Sequence, residues 1–161
     1  MKILSILLNK FLPQNIAFAH CDIPCGIYDP NNAQRAAHTI IRMTELFEKI
    51  KRDDETKAEH DIARVTHVKE EHSNILEEEL STLKDDYFKE EHFKSYPNLN
   101  ELFEKASKAS TKTRQGIDIK SAEEVLEYVL EIAEIFYKTK GVESVRVKSI
   151  YPTEREFVTH K

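Results

Sequence analysis

SAEEVLEYVLEIAEIF, residues 121–136, is the stretch whose periodicity decides the fold. Val125, Leu126, Val129, Ile132, Ala133 and Phe136 recur at helical spacing, and acids fill half of the positions between them. Ser121 with Glu124 reads as a capping box at its start. Lys138, Lys140 and Gly141 read as its stop. An apolar face this regular needs partners, and the chain upstream offers three. From Asn31 to about Lys51, behind Asp29-Pro30, the residues Ala33, Ala37, Ile40, Thr44 and Phe47 form a narrow face. A second helix over 56–83 carries Ile62, Val65, Val68, Ile75, Leu76, Leu80 and Leu83, with Glu, Lys and His opposite. A third, over 98–111, uses Leu99, Leu102, Phe103 and Ala106.

Arg52-Asp53-Asp54 separates the first two helices. The aromatic-rich DDYFKEEHFKSYPNL, 85–99, reads as an irregular connection closing one end, and STKTRQGID, 110–118, as a polar turn. Four helices with short links predict an all-α protein, an antiparallel four-helix bundle. The last stretch, 141–161, alternates weakly at Val145, Val147 and Ser149. A short strand or an arm against a neighbouring subunit both fit it. The expected division is therefore 1–19, 20–140 and 141–161.

The chain of 161 residues suits one domain with a real core, and 40% hydrophobic with 33% charged excludes a disordered or membrane-embedded protein. The longest apolar run, ILSILL at 3–8, is far short of a membrane span. A net charge of −5 with no basic face argues against nucleic acid. Two cysteines cannot make a disulfide scaffold.

Residues 1–19, MKILSILLNKFLPQNIAFA, have two lysines and no acid, and end in Ala17-Phe18-Ala19, an A-x-A cleavage pattern. We read them as a removable leader cut after Ala19. An attached N-terminal amphipathic helix is the alternative. The apolar core is short and contains Lys10, so the expected compartment is the cytoplasm, with export left open and no membrane association in the mature form.

Immediately after comes HCDIPCGIYDP, 20–30, which holds both cysteines. Lipid anchoring at Cys21 is disfavoured because His20 before it is bulky. A thioredoxin-like pair has two residues between its thiols, and here there are three. A Cys21–Cys25 disulfide stays open. A structural zinc site wants four ligands, and His20, Cys21 and Cys25 leave it one short unless His38 or another histidine serves. Cleavage after Ala19 adds a free α-amine to the imidazole of His20. That amine, the Cys21 amide nitrogen and the thiolates of Cys21 and Cys25 can lie in one plane, a geometry suited to Ni²⁺ or tetragonal Cu²⁺. The imidazole could approach along the axis.

HCDIPCGIYDP resembles the metal hook of the nickel-containing superoxide dismutases, as do DYFK at 86–89 and HFKSYP at 92–97. The likeness runs from about residue 17 to Lys140. It implies dismutation of superoxide to dioxygen and hydrogen peroxide, one nickel per subunit, a homohexamer, and a processing peptidase that exposes His20. It further implies His20, Cys21 and Cys25 as ligands, with the His20 imidazole axial. Asp22 and Pro24 would shape the hook, Pro24 through a cis bond. Tyr28 and Tyr87 would line the mouth, and Lys89 would support it and help steer the anion.

The family's glutamate supporting the axial imidazole falls at Ala36, and its arginine partner at His72, so both are replaced. His38, His72 or a backbone carbonyl from another chain are the candidate supports for the remaining ring nitrogen. Two further readings compete with the enzyme: a non-catalytic helical metal binder, and an exported interaction protein with a Cys21–Cys25 disulfide.

Overall fold

The structure is a computed structural model and describes residues 25–161. The expected leader and the hook residues Ala19, His20, Cys21, Asp22 and Pro24 lie outside the described residues. The described chain is predominantly helical: α1 Asn31–Glu48, α2 Glu55–Ser81, a π-helical turn Thr82–Tyr87, α3 Glu90–Ser95, α4 Leu99–Gln115 and α5 Ile119–Thr139. An antiparallel hairpin follows, β1 Ser144–Lys148 with β2 Glu156–His160, Ser144 facing His160 and Lys148 facing Glu156. The all-α expectation is thus corrected at the tail.

The four long helices pack in cyclic order, α1 on α2, α2 on α4, α4 on α5, and α5 back on α1. Helix α5 contributes the largest apolar share, and Val125, Leu126, Val129, Ile132, Ala133 and Phe136 are all buried as their spacing requires. Burying side chains of this size stabilises the fold by about 1.5–3 kcal/mol each before conformational entropy is subtracted. Its start differs from the capping-box reading. Ser121 is not the cap: its N–H and its hydroxyl both donate to the Asp118 carboxylate, which also accepts from the Lys120 N–H. An anionic acceptor beside the positive end of a helix satisfies free N–H groups better than a hydroxyl does.

Three further boundaries move. Helix α4 runs on to Gln115, so most of the supposed polar turn is helix, and Ala109, Ser110 and Thr113 are buried. The carbonyls at its end are taken by Lys69, whose Nζ donates to Thr113 and Gly116 oxygens, both at 2.5 Å. Lys69 is fully buried on the side of α2 that composition marks as solvated, and burial lowers its pKa. Ile75, expected in the core, is exposed instead. The segment after α2 is not irregular: it is a π-helical turn, then α3, with Phe88 buried against Phe103.

The hairpin packs on α5 and is tied to α1 by buried hydrogen bonds. Gln34 is fully buried; its Nε2 donates to the Val158 carbonyl at 3.0 Å, and its Oε1 accepts from the Val158 N–H at 2.7 Å. The amide thereby behaves as a short length of strand. His38, also buried, meets the Thr153 hydroxyl through Nδ1 at 2.7 Å and donates from Nε2 to the Glu156 carbonyl at 3.0 Å. Arg146 reaches Glu134 and Glu127 on α5, and Arg155 reaches Glu123.

Candidate metal centre

The described residues begin at Cys25, the last of the expected ligands. Cys25 is exposed, and Gly26 takes φ +72°, the left-handed region glycine enters without steric cost. This turn aims the Ile27 N–H at the Cys25 sulfur, 3.5 Å away. An N–H donor beside a sulfur favours the thiolate, the form in which cysteine binds metal. Ile27 is 74% exposed, and after it the chain turns inward at Tyr28. Asp29 accepts from the Asn31 N–H at 2.5 Å and from the Asn31 side-chain amide at 3.0 Å, tying the root of the hook to the first residue of α1.

Tyr28 and Tyr87 are brought together, with ring centroids 5.5 Å apart and planes tilted by 51°. Tyr87 closes the π-helical turn and is wedged among rings. Phe136 lies 4.6 Å from it, Phe88 5.0 Å, and His92 stacks at 5.8 Å with a 15° interplanar angle. His92 is held by accepting the Lys89 N–H on Nδ1 at 3.0 Å.

The Tyr87 hydroxyl lies 2.6 Å from the Thr139 hydroxyl. Thr139 has one hydroxyl proton, and donates it to the Phe136 carbonyl at 2.7 Å. Tyr87 is therefore the donor of the pair, and its proton points back into the end of α5. Its oxygen keeps lone-pair density able to accept a hydrogen bond. Burial raises the pKa of Tyr87, so its phenol stays neutral at ordinary pH. Thr139 escaped the sequence reading because it sits 52 residues from Tyr87, with no local pattern joining them.

Lys89 is exposed at the start of α3, and its ammonium donates to the Asp86 carbonyl at 2.6 Å. The replaced glutamate position and the candidate supports for the expected axial imidazole fare differently. Ala36 is buried and offers no polar group. Both ring nitrogens of His38 are engaged under the hairpin, which removes it. His72 spends Nδ1 on the Val68 carbonyl of its own helix, at 2.9 Å.

Among the described residues no group of three or more His, Cys, Asp and Glu is gathered for a metal ion. What is present fits the expected one. A soft sulfur donor stands exposed on a glycine turn, three residues before the tyrosine that packs on Tyr87. No helix among the described residues is long and apolar enough to cross a membrane.

The model of the nickel-containing superoxide dismutase family matches residues 15–140. "Superoxide dismutase [Ni]" of Streptomyces seoulensis is 35% identical over 135 residues, covering 84% of this chain and 98% of that protein. The Streptomyces coelicolor enzyme of the same name is 33% identical over the same shares. A crystal structure of Ni-containing superoxide dismutase with nickel ligation of the oxidised state superposes with a TM-score of 0.69 at 35% identity, covering 76% of this chain and 99% of that one. The hairpin lies beyond the family match. The chain belongs to the nickel-containing superoxide dismutase family, and is an enzyme of superoxide dismutation.

Proposed function

We propose that the mature chain begins at His20, exposed by a processing peptidase that cuts after Ala19, and holds one nickel per subunit in a hook over 20–28. The His20 amine and imidazole, the Cys21 amide and thiolate, and the Cys25 thiolate are the donors of this reading. Nickel, when bound, supplies one-electron chemistry between Ni(II) and Ni(III), so that two superoxide anions and two protons become dioxygen and hydrogen peroxide. Asp22 and Pro24 shape the hook. The mature chain assembles as a homohexamer of four-helix bundles, each spanning 20–140 with 141–161 added, and works in the cytoplasm.

The remaining work falls to residues around the mouth. Tyr28 and Tyr87 narrow it to small species and keep larger reductants off the sulfurs. Tyr87, with its proton committed to Thr139, accepts a hydrogen bond from water or nascent peroxide and does not donate one. The two protons consumed must reach the product by another route, through water ordered at Tyr28 or a donor in the hook. Lys89 contributes positive potential at the entrance.

The observation that carries the reading is the exposed Cys25 on its glycine turn, three residues before the tyrosine that packs on Tyr87. Native mass spectrometry on protein made with its peptidase and nickel tests it. A chain starting at His20, one nickel per subunit, sixfold assembly and superoxide turnover above that of free nickel are expected. A processed chain that binds only zinc, or nickel without turnover, overturns the mechanism.

A further inference from the structure

Lys140 caps α5, and its place is closely set. Its N–H donates to the Phe136 and Tyr137 carbonyls at 3.2 and 3.1 Å. Gly141, at φ +73°, donates to Lys138 at 3.1 Å, and Val142 to Tyr137 at 3.2 Å. This is the paired closure of a Schellman turn, which holds the backbone of the capping residue. The last carbonyls of a helix also favour a nearby cation.

From that fixed point the ammonium lies over Tyr87, 4.7 Å from its ring centroid, and 5.6 Å from that of Phe136. Both are within the range at which a cation is attracted to a ring face. Tyr87 is the ring that packs on Tyr28, and its hydroxyl is fastened to Thr139, the residue before Lys140. One turn of α5 thus fixes both the phenol and a positive charge upon it. The substrate of the family's reaction is a small monoanion, while the chain carries a net charge of −5. A distant field of that sign repels the substrate, so a local cation at the mouth has a large share in capture.

We propose that Lys140 is a positioning and steering residue: its ammonium, seated on Tyr87, draws superoxide to the tyrosine-lined mouth. This rests on the enzymatic reading above, and adds to it a residue that no spacing in the sequence identifies.

The test compares Lys140→Gln, Lys140→Arg and Lys138→Gln in processed, nickel-loaded protein. Lys138 is exposed one turn position away, so its variant makes the same change in net charge. At low ionic strength kcat/KM should fall about threefold or more in Lys140→Gln, and the difference from wild type should shrink as salt is raised. Lys140→Arg should restore both rate and salt dependence, and Lys138→Gln should match wild type. Equal behaviour of the two glutamine variants overturns the proposal. So does a loss in Lys140→Gln that is the same at every salt concentration, which would make the lysine a prop alone. Phenol titration at 295 nm in metal-free protein, with Tyr87→Phe to assign the signal, separates this from failure of the enzymatic reading. Removing the cation should raise the Tyr87 pKa in Lys140→Gln and not in Lys138→Gln, whether or not loaded protein turns superoxide over; no shift overturns the proposal.

Discussion

The root of the hook and the docked hairpin are held to the same helices by opposite means. At the root, Tyr28, Tyr87, Phe88 and Phe136 meet ring against ring, and the Tyr87 hydroxyl is tied to Thr139. Under the hairpin the contacts are directional and polar: Gln34 pairs with both backbone groups of Val158, and His38 is bonded at both nitrogens. Aromatic packing fixes ring positions while leaving hydroxyl direction to a partner such as Thr139. A buried polar clasp attaches a segment with little new apolar surface, Val158 being its buried hydrophobic anchor, but each of its groups must be satisfied. The first arrangement lies inside the family match, and the second joins Gln34 and His38 within it to a hairpin beyond it.

That contrast breaks if substitutions on the two sides have the same consequences. Cys25→Ser should have the largest effect, removing nickel binding and superoxide turnover to background while leaving the thermal transition of metal-free protein in place. Nickel analysis and a denaturation scan check both halves. Gln34→Ala should do the reverse. It strands the Val158 N–H and carbonyl in a buried site, for a loss of about 2–3 kcal/mol by chemical denaturation, with turnover per loaded subunit unchanged. Gly141→Ala, at the joint between the two regions, forces a side chain into the left-handed region, for about 1 kcal/mol of stability, measured the same way.

The smallest effect is one of pH. Burial lowers the His38 pKa below its usual 6.5, opposed by the bond to the Glu156 carbonyl, with the Arg155 charge adding to the lowering. The unfolded imidazole takes up a proton near 6.5 while the folded one resists it. The stability this site contributes is therefore full above 6.5 and declines as pH falls towards the folded value. Between pH 7 and pH 5 the wild type should lose stability more steeply than His38→Gln, with the change seen first as faster amide exchange in β2. Equal slopes would mean that the hairpin does not feel the charge of this ring.

Sequence reading reached the helices by counting apolar residues, and it succeeded where burial and apolarity coincide, as along α5. It went wrong where they part. Ile75 is apolar and exposed, Lys69 is charged and buried, and Gln34 and His38 on α1 are polar and buried under the hairpin. A buried polar residue is recognisable only from its partner, and those partners lie 44 to 124 residues away. The same limit hid Thr139 and Lys140.

What the sequence determined by itself, then, is what neighbouring residues decide together. It held the periodicity of the long helices, the Gly141 stop, and a donor cluster at 20–25 that can form in one turn of chain. The tertiary structure decided which way the Tyr87 proton points, which lysine sits on its ring, and whether the tail hangs free or is clasped to α1 and α5. Those outcomes depend on groups brought within hydrogen-bonding or cation–π distance by packing, where interaction falls off within a few ångströms and separation along the chain carries no information about it.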